Sequence, residues 1–154
     1  MRRLALTWER MTVFKHILIP TDGSALSERA VDEAVHLAAE MQARATVLTV
    51  TEPFHISGSW PEVSVDEYAD WAQQRGQERV ASGAGLARTL GVPCEPLIVE
   101  HEEPYAAIID AARSLGCDLI AMASHGRRGL SAVVLGSETQ KVLTHSRIPV
   151  LVLR

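Results

Sequence analysis

Five short apolar runs alternate with four longer segments of helical spacing along this chain, and that alternation restricts the fold more than any other feature. The runs are rich in aliphatic and β-branched residues, as expected for strands that are covered on both faces. Regular strand–helix alternation predicts a mostly parallel sheet joined by right-handed crossovers. The predicted strands are residues 14–20, 44–51, 94–100, 119–123 and 148–153. Pro96 indicates that the third strand lies at an edge, because proline cannot donate to a neighbouring strand.

We therefore predict an α/β fold, a single doubly wound five-stranded parallel sheet of order 3-2-1-4-5 with helices on both faces. At 154 residues one domain is the default, here residues 14–154 after an N-terminal extension of residues 1–13. Ligands of such sheets bind beyond the carboxyl ends of the strands, where the strand order reverses. Two loops of unusual chemistry follow the first and fourth strands. If those strands are neighbours, both loops meet at that point.

The second helical segment, residues 65–90, contains three glycines, each of which costs about 1 kcal/mol relative to alanine. Its larger apolar residues still recur at helical spacing. We predict that they form the buried face of this helix: Trp71, Val80, Ala84, Ala87 and Leu90.

Charge and cysteine content exclude several classes of protein. The net charge of −4 argues against a general nucleic-acid-binding surface. The two cysteines, Cys94 and Cys117, have no metal-ligand spacing, which indicates a reducing compartment, and we expect a cytoplasmic protein. No apolar run approaches the length of about 20 residues that spans a membrane, so no membrane insertion is expected.

The stretch after the fourth predicted strand has the composition of a phosphate-binding turn. An apolar run, residues 119–123, is followed by Ser-His-Gly-Arg-Arg-Gly, and Gly136 and Ser137 then precede a helical segment. Glycine lets backbone N–H groups approach an oxyanion, and a helix N-terminus offers unpaired donors and partial positive charge. Between Asp118 and Glu138 the formal charges are all positive, on Arg127 and Arg128. The sequence therefore predicts an anion site here.

Two separated stretches resemble the nucleotide-binding branch of the universal stress protein family. Residues 17–24 read Ile-Leu-Ile-Pro-Thr-Asp-Gly-Ser, and residues 119–126 read Leu-Ile-Ala-Met-Ala-Ser-His-Gly. That branch carries glycine, two residues, glycine, nine residues, glycine, then serine or threonine. Gly126, Gly136 and Ser137 match the later part, whereas Ala123 stands at the first glycine position. If that position needs a positive φ, alanine there costs about 1–2 kcal/mol.

The resemblance, which covers nearly all of the chain from residue 14, implies roles for individual residues. Asp22 would accept hydrogen bonds from ribose hydroxyls, helped by backbone groups of Pro20 and Thr21, and Val50 would flank the adenine. The ribose–phosphate path would be lined by Met122 and Ala123. The residues that would hold phosphates through backbone N–H or hydroxyl groups are Ser124, Gly126, Gly136, Ser137 and Thr139.

Some roles have a second interpretation that the residues leave open. We add Arg127 as an electrostatic helper, although both arginines of the loop can equally be solvated. Asp22 can instead be a turn residue that bonds its own backbone. His125 is interpreted as a structural hydrogen-bonding residue rather than a ligand contact.

We therefore expect a regulatory protein that binds ATP, or ADP or AMP, together with Mg²⁺. The resemblance implies a homodimer formed through the last strand, whose apolar residues 150–152 suit an edge. No catalytic residue is assigned, since the sequence has no P-loop, no nucleophile elbow and no base paired with a nucleophile.

Three alternatives stand beside this expectation. One is a stress-response interaction module with a vestigial, non-binding pocket marked by Ala123, and another is a slow ATPase. The third is RNA binding through the Gly-Arg-Arg-Gly run at residues 126–129, which the negative net charge and the absence of a nearby stacking aromatic disfavour.

Overall fold

The computed structural model describes residues 13–54, 64–125 and 135–154. The elements in these ranges are β1 (His16–Pro20), α1 (Ala25–Met41), β2 (Arg44–Thr51), α2 (Val65–Thr89), β3 (Cys94–Glu100), α3 (Pro104–Ser114), β4 (Leu119–Ala123), α4 (Ser137–His145) and β5 (Val150–Leu153). The strand bounds agree with the predicted ones except that β1 and β5 each begin two residues later, and α2 ends at Thr89 instead of residue 90. Apart from Val13, the predicted N-terminal extension lies outside the described residues, as does most of the loop after β2.

The strands form one parallel sheet in the order β3-β2-β1-β4-β5, which confirms the predicted topology. β1 pairs with β2 over its full length, from His16 opposite Arg44 to Pro20 opposite Leu48. On its other side β1 pairs with β4, where Ile17 lies opposite Leu119. β3 is an edge strand, as Pro96 indicates, and β5 forms the opposite edge. The central position of β1 places the loop that follows it in the middle of the carboxyl edge.

Both faces of the sheet are buried in apolar clusters. On one face, Ile17 and Ile19 of β1 pack in a cluster with residues of α1 and α2. On the other face, Leu18 packs with residues of α3 and α4, among them Ile108 and Val142. The three β1 side chains are 0% exposed, and burying each contributes about 1.5–3 kcal/mol. The apolar run of β1 is therefore uninterrupted because both faces of the strand are buried, as the sequence indicates.

The predicted buried face of α2 is wrong at both ends. Trp71 is 54% exposed and Leu90 is 37% exposed. The residues that α2 buries are spaced by three and four positions but are mostly small, namely Ala72, Gly76, Val80, Gly83 and Ala87. A Cβ atom added at Gly83 would lie 2.5 Å from Val31 Cγ1, so the absent side chain is what lets α2 approach α1.

Across the described ranges, the helices are all too short or too polar to span a membrane.

His16, at the amino end of β1, makes the stability of the fold depend on pH. The imidazole is 5% exposed, and its Nε2 lies 2.8 Å from Thr46 Oγ1 in β2. Burial lowers the pKa of His16 below its usual 6.5, and the neighbouring Arg44 charge lowers it further, against smaller opposing effects that include the Asp118 and Glu95 charges. The folded protein therefore keeps this ring neutral at pH values where the unfolded chain takes up a proton.

We expect the free energy of unfolding to decrease as the pH falls below about 6.5, because the unfolded state then binds the additional proton. His16→Gln is expected to remove much of this decrease when urea denaturation is compared at pH 7.5 and 5.5. His36→Gln is the control, since His36 is exposed on α1 and bonds only the backbone of its own helix through Nδ1. An equal decrease in His16→Gln and wild type would contradict this assignment.

Candidate functional site

The loops after β1 and β4 meet at the carboxyl edge of the sheet. The strands are parallel neighbours, with Ile17 opposite Leu119 and Leu18 opposite Ile120. The loops after Pro20 and Ala123 therefore leave neighbouring strands, which lie about 4.8 Å apart within the sheet, at the same edge. The predicted convergence of the two loops thus follows from the observed strand order, and it forms the switch point at which ligands of doubly wound sheets bind.

The turn after β1 is organised around the Asp22 carboxylate. Gly23 has φ of 75°, a left-handed conformation that glycine adopts without strain. Asp22 Oδ1 accepts hydrogen bonds from Ser24 N at 3.0 Å and from Ser27 Oγ at 2.8 Å. The turn interpretation of Asp22 is therefore correct for this oxygen. It is compatible with a role in ligand binding, because an ionised carboxylate offers about four acceptor positions on two oxygens.

Thr21 contributes mainly to the structure of the same turn. Its N–H donates to Leu48 O at 2.8 Å, so this backbone donor is already used within the sheet edge. Its hydroxyl accepts from Gly23 N at 3.1 Å and lies 3.0 Å from Ser27 Oγ.

Ser27 belongs to this site and was missed by sequence reasoning. It lies in the first turn of α1, is 3% exposed and contacts both Thr21 and Asp22. The available signal was its position, because it lies four residues before Val31 on the buried stripe of the helix. A serine on an apolar stripe, five residues after an acidic turn residue, indicates a buried polar contact rather than a solvated helix surface.

The start of α4 is fastened to the end of β4. Gly136 N donates to Ser124 O at 2.8 Å, and Thr139 Oγ1 donates to Ala123 O at 3.0 Å. Ser124 N in turn donates to Leu153 O at 2.8 Å in β5. Three donors predicted to face phosphates, the N–H groups of Ser124 and Gly136 and the hydroxyl of Thr139, are therefore used within the protein. Their effect is to fix the position of the first turn of α4.

The N-terminus of α4 differs from the other described helix starts. α1 is capped by the Ser24 side chain, α2 by Ser64 and α3 by the Glu138 carboxylate, which accepts from Tyr105 N at 2.9 Å. The N-cap of α4 is Gly136, which has no side chain to cap the helix, and Ser137 is exposed at the first helical position. Among the described residues no acceptor is seen for the Ser137 N–H or hydroxyl. The first turn of α4 thus presents donors and partial positive charge at the switch point.

The remaining predicted site residues fall into two groups. Val50 and Met122 belong to the same apolar cluster on the α3 side of the sheet, and Met122 is 6% exposed. Ala123 is the last residue of β4 and is not among the residues with positive φ. Alanine in place of the motif glycine therefore causes no backbone strain here. Gly126 and Arg127 lie outside the described residues, and their roles stay predictions.

His125 has one structural partner and one buried atom without a partner. Its Nδ1 lies 3.0 Å from Ser124 Oγ, in agreement with its interpretation as a structural hydrogen-bonding residue. Its Nε2 is buried and meets no hydrogen-bond partner among the described residues. Leaving a buried donor or acceptor without a hydrogen bond costs about 1–3 kcal/mol. A ligand that bonds this nitrogen would remove that cost.

The described residues bring no three histidine, cysteine, aspartate or glutamate side chains together as a metal cage. Mg²⁺ is usually held by one or two carboxylates and by substrate phosphates rather than by a dedicated cage. Asp22 supplies a carboxylate at this edge and Ser137 an exposed hydroxyl, which are oxygen ligands of the kind that Mg²⁺ takes.

Comparison with known proteins identifies the family. The family profile described as "Universal stress protein family" matches residues 14–154. The chain belongs to this family. The universal stress protein YxiE of Bacillus subtilis is 34% identical over 149 residues, covering 92% of this chain and all of that protein. This universal stress protein therefore shares both sequence and length with a curated relative.

Solved structures agree with the fold. The universal stress protein UspA of Lactobacillus plantarum superposes with a TM-score of 0.77 at 27% identity, covering 91% of this chain and 97% of that one. A universal stress protein solved in complex with cAMP gives a TM-score of 0.68 at 23% identity, covering 92% and 97%. The second likeness shows the fold alone, and its ligand is a property of that protein.

Proposed function

We propose that this universal stress protein binds an adenine nucleotide, ATP or ADP or AMP, at the carboxyl edge between β1 and β4. One observation carries the proposal most strongly: α4 begins without a side-chain cap at the point where the β1 and β4 loops converge. Helix N-termini of this kind bind phosphate through their N–H groups. The complex of a protein of the same fold with cAMP supports the choice of an adenine ligand.

The other groups of the edge are arranged to suit the rest of such a ligand. Asp22 supplies an acceptor for the ribose hydroxyls, and Val50 supplies an apolar surface for the base. Met122 and Ala123 line the path of the ribose and phosphates. Ser137 and the other N–H groups of the first α4 turn receive the phosphates, with Gly126 and Arg127 as further proposed contacts. Mg²⁺ would accompany the phosphates. No side chain is proposed to act in catalysis, so the nucleotide acts as a regulatory ligand.

We further propose that two copies pair through β5. This strand pairs with β4 on one side and forms an edge of the sheet, and its Leu151 is 36% exposed. An apolar edge strand is a hazard unless another chain covers it, and pairing with a second β5 would cover it.

The test uses the wild-type full chain. Calorimetry is expected to show one ATP per chain with a dissociation constant at or below about 1 mM, a binding free energy of about 4 kcal/mol or more. Light scattering of the same sample is expected to give twice the chain mass of 16.8 kDa. If ATP, ADP and AMP all fail to bind at millimolar concentration, the nucleotide proposal is wrong. A monomer that binds ATP would remove only the dimer.

A further inference from the structure

We propose that Ser27, supported by Thr21, is a positioning residue that fixes the Asp22 carboxylate for recognition of ribose hydroxyls. The inference deepens the proposed nucleotide function and rests on it. It assigns the preference for ribose over deoxygenated sugars partly to a hydroxyl in α1 that acts through Asp22.

The hydrogen bonds around Ser27 have a single consistent direction. The Ser27 hydroxyl has one proton, and its possible acceptors include Asp22 Oδ1 at 2.8 Å and Ser24 O at 3.1 Å. The carboxylate is nearer and charged, and charge-assisted hydrogen bonds are about twice as strong as neutral ones. Ser27 therefore donates to Asp22, which leaves its lone pairs to accept from other groups.

Thr21 is a further member of this series of hydrogen bonds. Its hydroxyl lies 3.0 Å from Ser27 Oγ and 3.1 Å from Gly23 N, which can only donate. Because the Ser27 proton is used on Asp22, Thr21 must donate its own proton to Ser27. The order is therefore Gly23 N–H to Thr21, Thr21 to Ser27, and Ser27 to Asp22. Every proton in this chain points towards the carboxylate.

Burial makes this arrangement effective. Ser27 is 3% exposed and Thr21 is 5% exposed, so water does not readily replace either hydroxyl. Asp22 Oδ1 is fixed from two directions, by Ser27 Oγ and by Ser24 N. Fixing one oxygen and the carboxylate plane also fixes the direction of the second oxygen, Oδ2. An acceptor that is held in place in this way favours a ligand whose hydroxyls match it.

Ser24 provides a matched control at the same end of α1. Its hydroxyl accepts from Ser27 N at 3.2 Å and so caps the helix. Its bond to Asp22 is made by the backbone N–H, which Ser24→Ala retains. Ser24→Ala thus weakens the start of α1 as a cap loss does, while the side-chain bonds to the carboxylate remain.

The experiment compares the affinities of ATP and 2′,3′-dideoxy-ATP for full-length wild type, Ser27→Ala and Ser24→Ala. We expect wild type to prefer ATP by about 10- to 100-fold, the range expected for hydrogen bonds to a charged group. Ser27→Ala is expected to reduce that ratio by about tenfold through weaker ATP binding, with the dideoxy affinity unchanged. Thr21→Val is expected to reduce it by about threefold, and Ser24→Ala is expected to keep it. Equal losses for both ligands in Ser27→Ala would show a merely structural role and overturn the proposal.

A measurement without nucleotide separates this proposal from the proposed function. The Ser24 amide proton is expected to exchange about tenfold faster in Ser27→Ala, because the carboxylate oxygen that accepts its bond loses the hydrogen bond from Ser27 Oγ. Unchanged exchange of that amide would overturn the positioning role even if ATP binds. Absence of ATP binding to wild type would instead overturn the nucleotide function, whatever the exchange rates show.

Discussion

ATP binding is expected to weaken strongly when Ser137 is replaced by proline, while the fold remains intact. Proline suits the first position of a helix, where the N–H has no helical partner. The preceding residue already fits, because Gly136 has ψ of 151°, the extended conformation that a residue before proline requires. The change removes the Ser137 N–H and hydroxyl together. At about 1.5 kcal/mol or more for each bond to phosphate, affinity should fall by about 100-fold.

Ser137→Ala separates the two donors. It removes the hydroxyl alone, so a loss of about tenfold is expected if both groups bind phosphate. The chain already has this arrangement at another helix, since Pro104 is the first residue of α3. Calorimetry measures the affinities, and an unchanged melting temperature confirms that the fold tolerates proline. A Ser137→Pro protein that is folded and binds ATP as wild type does would show that α4 is not the phosphate site.

Gly83→Ala is expected to destabilise the protein by about 2 kcal/mol, although alanine is the better helix former. The added Cβ would lie 2.5 Å from Val31 Cγ1, which is shorter than real Cβ contacts, and 3.1 Å from Val47 Cγ2, which is tighter than most of them. Both valines are 1% exposed or less, so neither can move into solvent. Overpacking of this kind costs about 1–3 kcal/mol and outweighs the gain in helix propensity.

Gly85→Ala in the same helix is the control. Apart from the adjacent residues and the backbone of the helix itself, no atom of the described residues lies within 4 Å of the added Cβ there, so the substitution should gain up to about 1 kcal/mol from helix propensity. Urea denaturation of the two variants should therefore move the midpoint in opposite directions from wild type. Stabilisation by Gly83→Ala would mean that α2 does not pack this closely on α1 and β2.

The architecture could be predicted because it depends on patterns that are local in sequence. The buried run in β1 needs apolar residues throughout, since Ile17 and Leu18 face different layers of the core. The start of α4 at Ser137 follows from Gly136 and the helical spacing after it. These signals, with the family resemblance, led to the strand order that the structure shows.

The packing of α2 could not be predicted in the same way. Hydrophobic periodicity weights large side chains, and Trp71 therefore marked a face that the helix leaves exposed. The true contact depends on Gly76 and Gly83, which bury backbone against Ile98 and Val31 and carry no hydrophobic signal of their own. From sequence alone, a glycine in a helix only lowers the helix propensity. Its contribution to close packing becomes visible once the neighbouring element is known.

The candidate site, too, could be predicted only in part from the sequence. Sequence identifies which loops carry donors, but it does not show which donors the fold already uses. Thr139 bonds Ala123 O and Gly136 bonds Ser124 O, because α4 returns onto the end of β4. Ser27 escaped notice because its two partners are in a turn outside its own helix. Which donors the fold uses internally is therefore decided by how the chain folds back on itself, and not by residue type.

Glu138 has a mechanical consequence for the α3–α4 layer. Its carboxylate caps α3 by accepting from Tyr105 N, and its other oxygen lies 3.1 Å from Lys141 Nζ, which in turn sits 5.1 Å from the Tyr105 ring centre. The cap of α3 therefore comes from the first turn of α4, which is also the proposed phosphate site. We expect the two helix starts to be coupled, because fraying of the first α4 turn would remove the acceptor of the Tyr105 N–H.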